Sequence, residues 1–208
     1  MLIDFSPVDE GRISLYDFSQ QFSVSDLKAA TNASIGLLLD IIKDADDAHI
    51  VFEPHDPDAH DPYAPPEEQH IGWTLGHLIA HVTASSEEYA AYSSILARGI
   101  PYVREPRLRY ETPWREINSK ARAVQRLEES RRMRLAYLDT WPDVPHLDVL
   151  REISDRYREK FGEQNAKSAF ILGLRHEADH YDQFREVARQ AQASRADHTA
   201  SAASAAAT

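Results

Sequence analysis

Two histidines one helical turn apart are the first feature of this chain that could do chemistry. Residues 176–180 read HEADH, which fits the pattern H-E-x-x-H that zinc metalloproteases carry on a helix. Imidazoles at positions i and i+4 lie on one face of a helix, where they can meet at a single metal ion. The sequence therefore raises two alternatives, a peptidase and a metal site with another purpose.

The peptidase interpretation requires a third ligand that follows the motif. In such proteases this ligand is a histidine shortly after a glycine, or a glutamate on a later helix. After His180 the chain reads YDQFREVARQAQ and then enters a tail without large apolar residues. The pattern argues against a peptidase, and a third ligand has to come from an upstream helix.

An upstream segment, IGWTLGHLIAHVTASSEEY at 71–89, supplies two further histidines one turn apart. On a helical wheel, His81 lies about 90° from the apolar direction of its helix and His77 lies about 130° from it. His81 is therefore predicted to form the metal site together with His176 and His180. Three neutral imidazoles leave coordination positions open, which is typical of catalytic rather than structural metal sites.

Two polar residues near these histidines are candidates for catalytic roles. Glu177 falls near the middle of the apolar stripe of its helix, where an unpartnered carboxylate is costly. It is a candidate proton acceptor, and its alternatives are a carboxylate that orients a ligand or one that turns to solvent. Gln183 lies one turn beyond His180, where its amide could bond a substrate or cap the cavity.

The composition excludes several classes of protein. None of the 208 residues is cysteine, which excludes disulfides, thiolate metal sites and a cysteine nucleophile. The net charge of −11 has the wrong sign for binding nucleic acid or an anionic membrane surface. The longest apolar run, IGLLLDII at 35–42, is too short to span a bilayer, and the first residues do not resemble a signal peptide. These features predict a cytoplasmic protein that acts on a small molecule.

Apolar periodicity along the chain predicts helices and no strands. Four long amphipathic helices are predicted at about 24–47, from Gly72 to Gly99, from Thr112 to the residue before Pro142, and at about 165–191, with a shorter one at 146–161. The segment 49–70 holds five prolines and is predicted to be a long loop. The pattern predicts an all-α, up-down four-helix bundle over 24–192 with a short extra helix before the last, preceded by an N-terminal extension (1–23) and followed by a disordered tail (193–208).

The pattern W-x-x-G-x-L-x-x-H from Trp73 to His81, together with HEADHYDQ at 176–183, resembles the DinB/YfiT superfamily of metal-dependent bundle proteins. The resemblance covers about residues 25–190. In that family a histidine on the second helix and an H-x-x-x-H pair on the fourth bind a divalent metal, which maps by position onto His81, His176 and His180. Some relatives place the first histidine one turn earlier, in the slot that His77 occupies here.

The resemblance also implies a function. Characterised members include bacillithiol and mycothiol S-transferases, a mycothiol-dependent maleylpyruvate isomerase and the metal-binding domain of ergothioneine sulfoxide synthases. It therefore implies a divalent metal such as zinc, nickel or iron, and an exogenous low-molecular-weight thiol such as bacillithiol or mycothiol. A metal-dependent hydrolase, with Glu177 or Glu88 as proton acceptor, and a non-catalytic, stress-associated metal-binding module are the alternatives. The family commonly forms dimers, so a homodimer is an expectation of the resemblance alone.

Overall fold

The structure is a computed structural model, and it describes the backbone of residues 1–205 and the side chains of residues 1–195. The helices in chain order are α1 Ser6–Asp9, α2 Leu15–Ser19, α3 Val24–Ile41, α4 Asp47–Ile50, α5 Leu75–Ala97, α6 Lys120–Asp139, α7 Asp155–Phe161, α8 Ala166–Ala178 and α9 Tyr181–Ala205, with a 3₁₀ turn at Trp114–Glu116. The described range contains no β-strand. The prediction of an all-α fold is confirmed.

The long helices α3, α5, α6 and α8 form the bundle, and α9 continues its last side. Both α3 and α5 pack against α6 and α8, so the first two bundle helices occupy opposite corners. The chain crosses between these corners through α4 and a long proline-containing loop. Much of this loop coincides with the predicted loop at 49–70, and it reaches the open side of the bundle beside α5.

Two apolar clusters fill the bundle, and a layer of polar side chains separates them. One cluster contains Leu27, Ala30, Ala90, Leu138, Phe170 and Leu174, and the other contains Ile35, Leu38, Leu78, Val82, Leu127 and Phe184. Between them along each helix lie Ser34 of α3, Ser86 of α5, Arg134 of α6 and Glu177 of α8, all at most 2% exposed. These four residues are called the polar layer below.

Capping side chains decide where two of the bundle helices start, and the sequence prediction is correct for one of these starts. The predicted cap at Ser23 is present, because its hydroxyl accepts a bond from the Asp26 backbone and the Asp26 carboxylate accepts one in return. The prediction that the third helix starts at Thr112 was wrong. Residues after it form only the 3₁₀ turn, and α6 begins at Lys120 because Ser119 caps it.

The predicted last helix, 165–191, is interrupted. Helix α8 ends at Ala178 and α9 begins at Tyr181, so His180 lies in the turn between them. The His180 backbone N–H bonds the Glu177 carbonyl at 3.2 Å, three residues back, before regular bonding resumes. The two histidines of the HEADH motif therefore belong to different segments.

Residues near both ends of the chain form further helices. The segment 1–23 contains α1 and α2, and Leu15 and Phe18 of α2 are buried in the first apolar cluster, so this segment is part of the core. The stretch predicted as helical at 146–161 is helical only in α7. For the predicted disordered tail at 193–208, the described backbone continues as helix to Ala205 and residues 206–208 lie outside the described residues, so disorder stays a prediction. No described helix is both long and apolar enough to cross a bilayer.

Candidate metal centre

Close packing of α5 on α8 brings the histidines of the two helices together. Thr74 caps α5 and accepts a bond from the His77 backbone at 3.1 Å, which fixes the start of the helix two turns before His81. On α8, Gly173 faces Ser86, and a Cβ atom there would lie 3.1 Å from the Ser86 Cα. The missing side chain therefore allows the close approach that places His81 opposite His176.

Three imidazoles converge at this point. His81 Nε2 lies 3.2 Å from His176 Nε2, and one ring nitrogen from each of His81, His176 and His180 lies within 4.8 Å of the others. Two nitrogens bound at about 2.0–2.1 Å to a tetrahedral ion lie roughly 3.3 Å apart. The arrangement fits a divalent metal, and it is the one such histidine or carboxylate group among the described residues.

Burial keeps two of these rings neutral. Desolvation, assisted by the neighbouring imidazoles and by Arg109, lowers the pKa of His81 to about 2 and that of His176 to about 3. An imidazole must be neutral to bind a metal. Both rings are therefore able to coordinate a metal throughout the physiological pH range.

The ring nitrogens that face away from the convergence point differ in their partners. His180 Nδ1 lies 2.9 Å from the Gln183 Oε1, so a proton on Nδ1 leaves Nε2 free for a metal. His81 Nδ1 lies 3.5 Å from an Arg109 nitrogen and 3.9 Å from a carboxylate oxygen of Glu111. His176 Nδ1 is buried and has no bonding partner among the described side chains. Gln183 thus orients His180 in this structure.

His77 has a different environment from His81. Its ring is stacked between Trp73, at 4.4 Å between centroids, and Trp114, at 4.8 Å with the planes 1° apart. The Arg115 guanidinium covers the outer face of Trp114 at 4.0 Å. His77 is thereby part of an aromatic wall, and it does not belong to the converging group.

Glu177 follows His176 on α8, and its side chain faces the bundle core and not the cleft. Its carboxylate accepts bonds from Arg134 at 2.7 Å, from Ser86 at 3.0 Å and from Ser34, whose hydroxyl also contacts the Tyr181 hydroxyl. The Arg134 and Glu177 side chains are 1% and 0% exposed. These bonds account for a carboxylate in the apolar stripe, and they exclude the alternative in which Glu177 turns to solvent.

Of the three converging histidines, His81 and His176 line a cleft of about 780 Å³, and His180 lies outside its lining. Its walls come from α5, from the loop before α5 and from the segment between α5 and α6, and its lining includes His60, Asp61, Tyr63, Glu68, Trp73, His77, His81, Ser85, Tyr89, Arg107, Arg109, Glu111, Trp114 and His176. The predicted loop at 49–70 therefore contributes one wall. Glu177 is not among the lining residues.

The sequence prediction missed three charged residues of the cleft. Arg107, Arg109 and Glu111 alternate along an extended segment, so their side chains share one side of it. Arg109 contacts Glu111, Ser85 and the His81 carbonyl, and Arg107 binds Glu88. The alternation of charges in REPRLRYE at 104–111 was the available signal, but the segment has no regular structure to assign it to a site.

Comparison with known proteins agrees with this architecture. No curated protein and no solved structure matches the chain. A model of the DinB superfamily matches residues 30–184, which is more than half of the chain and includes all three converging histidines. The chain therefore belongs to the DinB superfamily.

Proposed function

We propose that this protein binds a divalent metal through His81, His176 and His180 and is an enzyme that transfers an exogenous low-molecular-weight thiol to an electrophile. The observation that carries the proposal is the convergence of three histidine nitrogens at the side of an open cleft. A cleft of about 780 Å³ is in the range that holds small-molecule ligands. The described residues place no fourth histidine or carboxylate in the group, which leaves room for a reactant.

A bound metal would supply the positive charge that deprotonates a coordinated thiol. The chain's own residues would hold the reactants. Trp73, whose ring lies 4.7 Å from that of His81, limits the access of water from one side. Tyr89 on the other wall keeps its proton, because burial and the adjacent Glu88 raise its pKa, and its hydroxyl is a donor for an oxygen of the electrophile.

The contacts of Glu177 and Gln183 support positioning roles. Glu177 is held by Arg134 and two serines outside the cleft, so its carboxylate fixes α8 rather than moving protons to a reactant. Gln183 bonds His180 directly and orients the ring. The sequence suggested catalytic roles for both residues. In this proposal they instead support the helices and rings that hold the metal.

A metal-dependent hydrolase is the second candidate, and one observation favours it. The Glu111 carboxylate lines the cleft, is 34% exposed and lies 3.9 Å from His81. A carboxylate in this position could accept a proton from a water molecule that attacks a carbonyl. Glu88, the acceptor considered from the sequence, is instead buried against Arg107.

Metal analysis of protein purified without chelators tests the metal site. We expect about one metal ion per chain in the wild type and in His77→Ala, and loss of metal in His81→Ala and His176→Ala. His77→Ala is the matched control because it removes an imidazole one turn away on the same helix. Retention of metal in His81→Ala would overturn the assignment of the ligands.

The thiol step is tested with the metal-loaded protein. Cobalt is substituted for the native metal, and thiols are titrated while the thiolate-to-cobalt absorption band is followed. A band that saturates with thiol supports the transferase. A cobalt spectrum unchanged by any thiol, together with hydrolysis of esters or amides that depends on Glu111, would favour the hydrolase. A spectrum unchanged by every ligand would indicate a closed, non-catalytic metal-binding module.

A further inference from the structure

Arg107 occupies an unusual position on the wall of the cleft. Its Nε donates to Glu88 Oε1 at 2.9 Å and its Nη2 donates to Glu88 Oε2, so one edge of the guanidinium is fully paired. The Arg107 side chain is 53% exposed, whereas that of Glu88 is 1% exposed. The buried carboxylate thus holds one edge of the guanidinium, and the exposed remainder of the Arg107 side chain is part of the cleft lining.

A ring of hydrogen bonds fixes this arginine. The Tyr92 hydroxyl donates to Glu88 at 2.8 Å and accepts a bond from the Leu108 backbone at 3.0 Å. Leu108 follows Arg107 in the chain, so the ring closes on the arginine's own segment. An arginine held in this way loses little side-chain entropy when it binds a ligand.

The neighbouring Arg109 provides an internal contrast. Its donors are taken by Glu111, by Ser85 and by the His81 carbonyl, and its side chain is only 18% exposed. Arg107 has no described acceptor for its Nη1 group. Of the two arginines on this wall, only Arg107 therefore has an edge available for a ligand.

Among the described carboxylates Glu88 is the one paired with Arg107, although Asp61, Glu105 and Glu152 also line the two clefts that meet there. Glu111 is paired with Arg109, and Glu68 is paired with Arg115 at 2.7 Å. Arg107 also lines a smaller adjoining cleft of about 280 Å³, so it stands where the two spaces meet. A group bound to Arg107 would be reached from the same cleft that His81 and His176 line.

We propose that Arg107 binds a carboxylate group of a reactant whose other end reaches the three-histidine site. A guanidinium edge with two parallel N–H groups matches the two oxygens of a carboxylate. Because Arg109 on the same wall is paired with Glu111, the single open edge suits a singly charged carboxylate better than a phosphate. The inference rests on the proposed function, because it names the substrate class of that site. It predicts that at least one reactant is a small organic acid.

The experiment compares matched probes on cobalt-loaded protein. ω-Mercaptocarboxylic acids of increasing chain length are titrated beside the corresponding mercaptoalcohols, and the thiolate-to-cobalt band gives each dissociation constant. We expect the best acid to bind about tenfold or more tightly than its alcohol, as one charge-assisted bidentate contact would give. Equal dissociation constants for acids and alcohols of every length, together with no Arg107-dependent binding in the thiol-free titration below, would overturn the inference and leave the thiol function intact.

Three variants separate the arginine from general charge. Arg107→Lys keeps a cation beside Glu88 but lacks the planar fork, and the pair Arg107→Gln with Glu88→Gln removes both charges, so that no buried carboxylate is left unpaired. We expect the preference for acids to shrink in the first and disappear in the second. Arg104→Gln, three residues away on the exposed segment, is the control and should retain the full preference.

A second titration, without any thiol, tests the carboxylate subsite even if no thiol binds to the metal. Calorimetric titration of the metal-loaded protein with dicarboxylic acids tests the subsite whether the carboxylate belongs to a thiol or to a second reactant. Binding that is lost when Arg107 and Glu88 are both changed to glutamine supports the inference. Binding that is unchanged in that variant, or no binding of any carboxylate probe in either titration, overturns it.

Discussion

The polar side chains on the core side and on the cleft side of α8 differ in the partners that the protein gives them. On the core side, Glu177 is fully buried, and Arg134, Ser34 and Ser86 all bond its carboxylate. His176, the residue before Glu177, points to the cleft side and converges there with His81 and His180. Its Nδ1 has no described partner. Protein groups alone occupy the Glu177 carboxylate, although the Arg134 Nε and Nη2 are buried without a described partner. The three imidazoles, in contrast, converge with room for an ion.

The same difference separates two arginine–glutamate pairs. The Arg134–Glu177 pair is 1% and 0% exposed and joins helices across the bundle, whereas Arg107 covers the buried Glu88 and keeps one edge open. A buried pair that binds nothing else serves the arrangement of the helices. A pair whose guanidinium is partly exposed can bind a ligand as well. Arg134 also has two nitrogens without a described partner, so exposure at the cleft, and not an unpaired donor alone, is what distinguishes Arg107.

The largest expected effect comes from breaking the buried pair. Arg134→Met leaves the Glu177 charge buried without its cation, and we expect the free energy of unfolding to fall by about 3–5 kcal/mol. Combining it with Glu177→Met should restore most of the stability, because the unpaired charge is gone. Urea denaturation of the metal-free proteins measures both. A single variant that loses less than about 1 kcal/mol would mean that the polar layer does not organise the bundle.

The cleft side should instead make stability depend on pH. The folded pKa values of His81 and His176, about 2 and about 3, lie below the unfolded value of 6.5, so only the unfolded chain takes up protons as the pH falls below 6.5. Stability is complete above pH 6.5 and declines below it. Between pH 6.5 and 5.5 we expect a loss on the order of 2 kcal/mol in the metal-free protein.

Chemical denaturation at closely spaced pH values measures this slope. The control is the variant with both His81→Gln and His176→Gln, whose stability should change much less over the same interval. Identical slopes in the two proteins would show that these imidazoles are not protected from protons in the folded state.

Gln183 tests whether ligand orientation is separable from folding. Gln183→Leu removes the acceptor that lies 2.9 Å from His180 Nδ1. We expect metal affinity to fall by about tenfold, with little change in the stability of the metal-free protein. Competition with a chelator of known affinity measures the first quantity, and Gln183→Glu, which keeps the acceptor, should retain binding. An unchanged affinity in the leucine variant would remove Gln183 from the site.

The smallest expected effect is a change in stability, and it distinguishes Arg107 from Arg134. Arg107→Lys should change the free energy of unfolding by less than about 1 kcal/mol, because the pair is partly solvated and the charge is kept. Arg134→Lys should cost clearly more, because its bond to Glu177 is fully buried and the shorter ammonium must reach the carboxylate without solvent. Thermal or urea unfolding of the two variants side by side decides this, and equal losses would contradict the distinction.

Helical periodicity was sufficient to predict the parts of the site that lie on regular helices. His81 and His176 lie on regular helices, where side-chain direction is fixed by sequence position. His180 joins them although the helix on which it was predicted is interrupted just there. The buried location of Glu177 was predicted from helical periodicity as well. Its partner Arg134 could not be, since the pair joins residues 43 positions apart, and no local pattern encodes which helix faces which.

The features that the sequence did not predict lie in segments without helical periodicity or at helix boundaries. Arg107 and Arg109 sit on an irregular segment whose course is set by the packing of Tyr92 and Glu88. The start of α6 was misplaced because Thr112 and Ser119 are both suitable caps, and only tertiary packing selects between them. The interruption before Tyr181 has no glycine or proline to announce it.

That interruption has a consequence for which ions the protein selects. On an unbroken helix the separation of two histidines four residues apart is fixed by the helical pitch, and the pair favours one ionic radius and one bond angle. Here His176 belongs to α8, whereas His180 lies in the turn that leads into α9. The spacing of the two rings is therefore set by the junction of α8 and α9 and not by the helical pitch. We expect the centre to bind ions of more than one size, which competition between metals would measure.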